Sequence, residues 1–117
     1  MKKYLLPHIL IISFVFLLAH TAQVATYAGE LEDAKEEVRN NPDYAVAHFN
    51  LGLAYNKSGK YKEAIESFKQ AIRIDPDDRD VHYNLGNAHF NLGVTYHKSG
   101  KYKEAIESFK HGRRCSE

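Results

Sequence analysis

Little in this chain is suited to chemistry. Cys115 is the single cysteine among 117 residues. No intrachain disulfide can form, and no cysteine pair exists to attach haem. The lone thiol sits near the C-terminus, either free or linking to another chain in an oxidising compartment. Charge of one sign is also missing: 16 basic residues stand against 15 acidic ones. With no basic field to hold a phosphate backbone, nucleic acid is not an expected partner. No stretch alternates apolar and polar residues as a half-buried strand would. No Ser-His-Asp arrangement, phosphate-cradling glycine loop or paired-carboxylate pattern is visible. No catalytic residue, enzyme activity or cofactor is therefore expected.

Long apolar runs are scarce too, and the one present is N-terminal. Lys2 and Lys3 precede an apolar run from Ile9 to Ala19, followed by small and polar residues to Ala28. A basic start, an apolar middle and a small-residue exit make a secretory signal pattern. The run is short for a bilayer, which needs about 20 apolar residues, and Pro7 and His8 interrupt its start. Ala28, with Thr26 two positions before it, is the best cleavage point. Residues 1–28 are thus expected to be a signal peptide, giving an exported (periplasmic or secreted) chain from Gly29 to Glu117. The alternative is a membrane anchor over residues 4–19. No cysteine follows the run, so lipid anchoring is not expected.

The rest of the chain repeats itself. Lys57–Lys69 (KSGKYKEAIESFK) recurs letter for letter as Lys98–Lys110, an offset of 41. Asn50-Leu51-Gly52 recurs at Asn84-Leu85-Gly86, and Pro42 recurs at Pro76, both at an offset of 34. The difference of seven is written twice in a row: Asn84–Phe90 (NLGNAHF) runs straight into Asn91–His97 (NLGVTYH). Each unit reads as two helices. Apolar residues form a broad helical face from Tyr44 to Lys57. Ser58-Gly59 breaks it, and a second amphipathic stretch follows to Ile74. Asp75, Pro76, Asp77 and Asp78 then end one helix and cap the next. The acidic cluster with Asp80 is no calcium loop, because the loop glycine is missing and the twelfth position is Gly86.

These residues resemble the tetratricopeptide repeat family, a 34-residue helix pair. With Ala45 as the first position, Leu51 and Gly52 match the family's Leu-Gly pair, and Tyr55, Ala64, Phe68, Ala71 and Pro76 match its later signature positions. His48 stands where the family usually has tryptophan. In the second unit the matching residues are Leu85, Gly86, Leu92, Gly93, Tyr96, Ala105 and Phe109. The resemblance implies an all-α solenoid of antiparallel helix pairs wound as a right-handed superhelix, behind an N-terminal signal or anchor helix. Residues 29–43 read as a worn half unit, with Leu31, Ala34 and Val38 as its apolar stripe. Residues 45–78 form one clean unit. Residues 79–112 form a second unit with seven extra residues in its first helix, and residues 113–117 read as a disordered tail.

Seven residues miss two full turns by about 20°, so one long helix is expected from about Arg79 to His97. Gly52, Gly86 and Gly93 fall mid-helix, and close approach to Ala64 and Ala105 is the expected compensation. Gly112 replaces Ala71 and reads as a helix stop. The last apolar face is therefore expected to lie uncovered, open to dimerisation or to a partner, or the mark of a truncated gene.

The resemblance also implies a concave groove, lined by first helices, that holds a peptide or a partner helix. By position its residues are Phe49, Leu53, Asn56 and Lys57, then Tyr83, Asn87, Phe90 and Val94. The expected function is thus a protein-binding adaptor. One alternative is a membrane-tethered assembly factor that self-associates through the open C-terminal face. The other is a histidine-based metal or haem carrier. His82, His89 and His97 share a helix face, but seven residues is ~10 Å of rise, too far for one ion. Mapping the mature N-terminus separates the placements. Gly29 is the outcome expected for export, whereas an intact Met1 would discard it in favour of a tether.

Overall fold

A computed structural model describes residues 4–117; Lys2 and Lys3, the basic start of the leader, lie outside the described residues. The described residues form five helices in order: α1 (Leu5–Asn40), α2 (Ala45–Lys57), α3 (Tyr61–Ile74), α4 (Arg79–Lys98) and α5 (Tyr102–Cys115). Among the described residues there is no strand. Each helix packs on the next, with α2–α3 and α4–α5 as the tightest pairs.

The punctuation between helices follows local chemistry. At the end of α2 the Gly59 N–H donates to Asn56 O and the Lys60 N–H to Tyr55 O. Gly59 holds φ at +73°. This is the Schellman closure, in which a left-handed residue satisfies the last carbonyls of a helix. Gly100 repeats it at +73°, with Gly100 and Lys101 donating to His97 and Tyr96. On the other edge the Asp78 side chain caps α4, accepting from the N–H groups of Asp80 at 2.9 Å and Val81 at 3.3 Å. His48 and His82 support the two proline turns. Each Nε2–H donates to a carbonyl six residues back, Pro42 O at 2.7 Å and Pro76 O at 2.8 Å. The histidine at the family's tryptophan position thus fastens the turn before its helix.

The segments read as a leader and as a half unit lie on one helix. Nothing breaks α1 at Ala28 or Gly29, and Pro7 falls in its first turn, where a missing N–H costs nothing. Residues 4–26 are all exposed, while Leu31 and Ala34 are buried against Leu51 and Ala54 of α2. The main core lies between α3 and α4. Ala64, Ile65, Phe68 and Ala71 meet Val81, Leu85 and Ala88, with Phe49, Leu53 and Leu92 packed around them.

α4 runs unbroken through both seven-residue phrases. The two copies divide the work. Leu85, from the first, packs on α3. Gly93, from the second, lies under the Phe109 ring of α5: a Cβ there would come within 2.7 Å of it. Gly52 has the same relation to Phe68, at 2.5 Å. The mid-helix glycines therefore make room for a phenyl ring, not for Ala64 and Ala105 as the small-on-small expectation had it. Gly86 differs again, since its added Cβ would lie 3.1 Å from the carbonyl of Gly112. Here two backbones touch.

Gly112 accordingly does not stop α5. It is buried, the helix continues to Cys115, and the expected disordered tail is helical over Arg113–Cys115. Cys115 is half-buried against the α3–α4 core, and burial raises its thiol pKa.

Gly52→Ala is expected to destabilise the fold by about 1–3 kcal/mol, because the ring facing it must shift. Gly29→Ala, with nothing within 4 Å, should stabilise by up to about 1 kcal/mol through helix propensity. Thermal unfolding of the two variants checks this; equal midpoints would refute the ring-and-notch account.

Candidate functional site

The eight groove positions do not form one free surface. Phe49 and Leu53 are partly buried in the α3–α4 core, and the Phe49 ring lies 5.9 Å from that of Phe68. Asn56 accepts from the Asn91 side chain at 3.5 Å, joining α2 to α4. Lys57 pairs with Glu30 of α1 at 2.9 Å. The α2 half of the set is therefore largely engaged in holding neighbouring helices together. On α4 the outcome differs. Tyr83 is 63% exposed and Phe90 is 56% exposed, with Asn87 and Val94 half-buried on the same stripe.

Two of these residues open onto a cleft between α4 and α5. It measures about 660 Å³ and is lined by Gly86, Asn87, Phe90, Ile106, Phe109, Lys110 and Arg113 among others. The repeat explains its origin. Forty-one residues earlier, the corresponding positions include Phe49, Ile65, Phe68, Lys69 and Ile72. There α4 lies in the equivalent seat, inserting Val81, Leu85 and Ala88. Identical letters thus meet different surroundings: Ile65 is 4% exposed and Ile106 is 54% exposed. Fully burying an isoleucine contributes about 1.5–3 kcal/mol, so the cleft offers an apolar partner a real gain. Arg113, in place of Ile72, adds a cation to its rim.

Ile106, Phe109 and Arg113 were not among the groove positions read from the sequence. Overlaying the identical thirteen-residue segments would have found Ile106, since its copy needs a partner helix to be buried.

The histidines are occupied separately. His89 stacks on His111 with ring centroids 5.3 Å apart, and His97 meets the edge of Tyr102 at 5.4 Å. Among the described residues no three His, Cys, Asp or Glu side chains converge as a metal site would need. Loss of solvent, and then the positive neighbours His111, Lys69 and Arg114, hold the His89 pKa down to about 4.

A solenoid of antiparallel helix pairs with repeated turns defines a class of helical scaffold. Three profiles place it further: one described as TPR repeat matches residues 54–93, and two described as tetratricopeptide repeat match 34–66 and 87–112. The chain belongs to the tetratricopeptide repeat family. Among solved structures it is similar to MamA MSR-1, at 28% identity and a TM-score of 0.54, over 80% of this chain and 49% of that one. MamA AMB-1 gives 28% and 0.53, over 79% and 46%. A point mutant of MamA gives 27% and 0.53, over 91% and 72%. The chain spans about half the length of the first two. No curated protein matches it. The family supports a protein-interaction or scaffold role.

The depressed His89 pKa has a stability consequence. The unfolded chain takes up this proton near pH 6.5, and the folded chain only near pH 4. The contribution is therefore full above pH 6.5, is lost as pH falls toward 4, and is constant below that. Discounted for screening at a partly exposed ring, the loss is about 1 kcal/mol. His89→Gln should flatten the fall in thermal midpoint between pH 7 and pH 4.5. An unchanged slope would show that the ring is not the group responsible.

Proposed function

We propose that this chain is an adaptor that docks a protein partner along α4. The observation carrying this reading is the strip of Tyr83, Asn87 and Phe90, two exposed aromatic rings with an amide between them, running from the α4 surface into the cleft beside Ile106. Aromatic anchors beside a partly formed apolar pocket suit a partner helix or peptide. The family's concave groove is retained in its α4 half, with Val94 at its far end. On the α2 side, Phe49, Leu53, Asn56 and Lys57 support the shape of that surface more than they contact a ligand.

A second reading is a membrane-tethered assembly factor. It is favoured by α1, whose helix crosses Ala28 without a break. That helix is long and apolar enough to cross a membrane, with a mean hydropathy of 2.0 over its best window. In this reading the open α4–α5 cleft serves self-association, and a second copy of the chain is its occupant.

Affinity capture with the full chain tests the docking strip. Tyr83→Ala with Phe90→Ala is expected to lose at least tenfold of the partner recovered by the wild type. Tyr44→Ala, just before α2, should retain it. Both side chains are exposed, so the double variant should unfold within a few degrees of the wild type. Equal recovery by all three proteins would refute the strip.

A further inference from the structure

The two edges of the solenoid differ in charge. One edge holds the α1–α2 and α3–α4 turns and the end of α5, where Asp43, Asp75, Asp77, Asp78 and Asp80 are offset by Arg39, Arg73, Arg79, Arg113 and Arg114. The other holds the α2–α3 and α4–α5 turns. Because the repeated segment includes both of these turns, it places Lys57, Lys60 and Lys62 in one, and Lys98, Lys101 and Lys103 in the other. The Tyr96 ring joins them, with Lys62 Nζ 5.5 Å and Lys101 Nζ 5.9 Å from its centroid. The carboxylates beside these lysines are Glu63 and Glu104 in the same turns, Glu66 and Glu107 one turn further on and paired with Lys69 and Lys110, and Glu30 and Glu32 on α1. Glu30 pairs with Lys57 and Glu32 with Lys35. The lysines outnumber the carboxylates. Each turn also presents a tyrosine between two lysines, Tyr61 half-buried and Tyr102 61% exposed.

The apolar part of α1 leaves the domain from this same edge. α1 runs antiparallel to α2, and Val24, Tyr27 and Ala28 share a cleft with Lys57, Ser58 and Lys60. A bilayer core takes about 20 helical residues, and Leu5–Val24 supplies that length. A span over those residues would end where the lysine edge begins.

We propose that the lysine edge is a binding surface for the headgroups of an anionic bilayer, seating the domain against the membrane that α1 enters. This deepens the tethered reading and rests on the retention of α1. Lysines within a Debye length of an anionic leaflet are attracted to it, and tyrosine favours the interface. The edge of mixed Asp and Arg then faces away, and the α4 docking strip runs outward from the membrane. Seated on both turns, the domain has a fixed orientation instead of swinging on its helix.

The chain contains no tryptophan, so one introduced indole reports on one place. Full-length Tyr102→Trp is reconstituted with vesicles of phosphatidylcholine alone, or with about a third phosphatidylglycerol. Tyr44→Trp, at the opposite edge, is the control. Flotation with the neutral vesicles reads the anchor alone. The edge is read by the emission of the Tyr102→Trp protein. It should shift to shorter wavelength on anionic vesicles only, and return at 1 M salt, where the Debye length falls to about 3 Å. Adding Lys98→Gln, Lys101→Gln and Lys103→Gln should abolish the shift, and the Tyr44→Trp emission should not move. An absent shift on anionic vesicles overturns the edge whether or not the protein floats. So does a shift that is equal at both positions, or one that survives the three Gln substitutions. A protein that does not float on neutral vesicles removes the tether separately.

Discussion

The fold depends on a ring set into a notch. In each helix pair a phenylalanine of the second helix lies over a glycine of the first: Phe68 on Gly52, Phe109 on Gly93. Glycine mid-helix is unfavourable by about 1 kcal/mol against alanine. Any side chain there would keep the pair apart, and the buried Phe68 ring would lose its place in the core. The helix is locally weakened so that the pair can close. Turns, caps and the α3–α4 core are then arranged around that contact.

The duplicated segment works as an internal experiment on burial. The same thirteen letters build the turn before α3 and α5 and the first nine residues of each helix, over the same notch. What differs is the neighbour. α4 covers α3, and Ile65 disappears from the surface; the corresponding Ile106 remains open beside Phe90 and Phe109. The open α4–α5 cleft thus presents residues whose counterparts elsewhere in the same chain are core. Its lining is that of the chain's own packing, changed at Arg113 and Gly112.

Much of the fold was legible because helical period and turn residues act locally. The repeat, the Ser-Gly breaks and the proline turns each carry their structural consequence within a few positions. The site was only half legible. Phe49 and Phe90 occupy equivalent positions, and no property of the letters says that Phe49 is drawn into the core while Phe90 stays exposed. That depends on which helix lies above them. Gly112 shows the same limit: a local rule reads it as a stop, whereas the backbone of Gly86 makes it a crossing point. His48 looked like a departure from the family pattern, and only the carbonyl of Pro42 gives it a role.

The doubled phrase in α4 presents two glycine notches seven residues apart, about 10 Å along the helix. On shape alone α5 has two addresses for its phenyl ring. The turn decides between them. Only Ser99, Gly100 and Lys101 separate α4 from α5, and the Schellman closure pins Lys101 to Tyr96. The ring of Phe109 therefore meets Gly93, and Gly86 is left to Gly112. The connection acts as a ruler. It selects one register from two near-equivalent ones, so a longer linker at residues 99–101 would change the protein's geometry without altering a single packing residue.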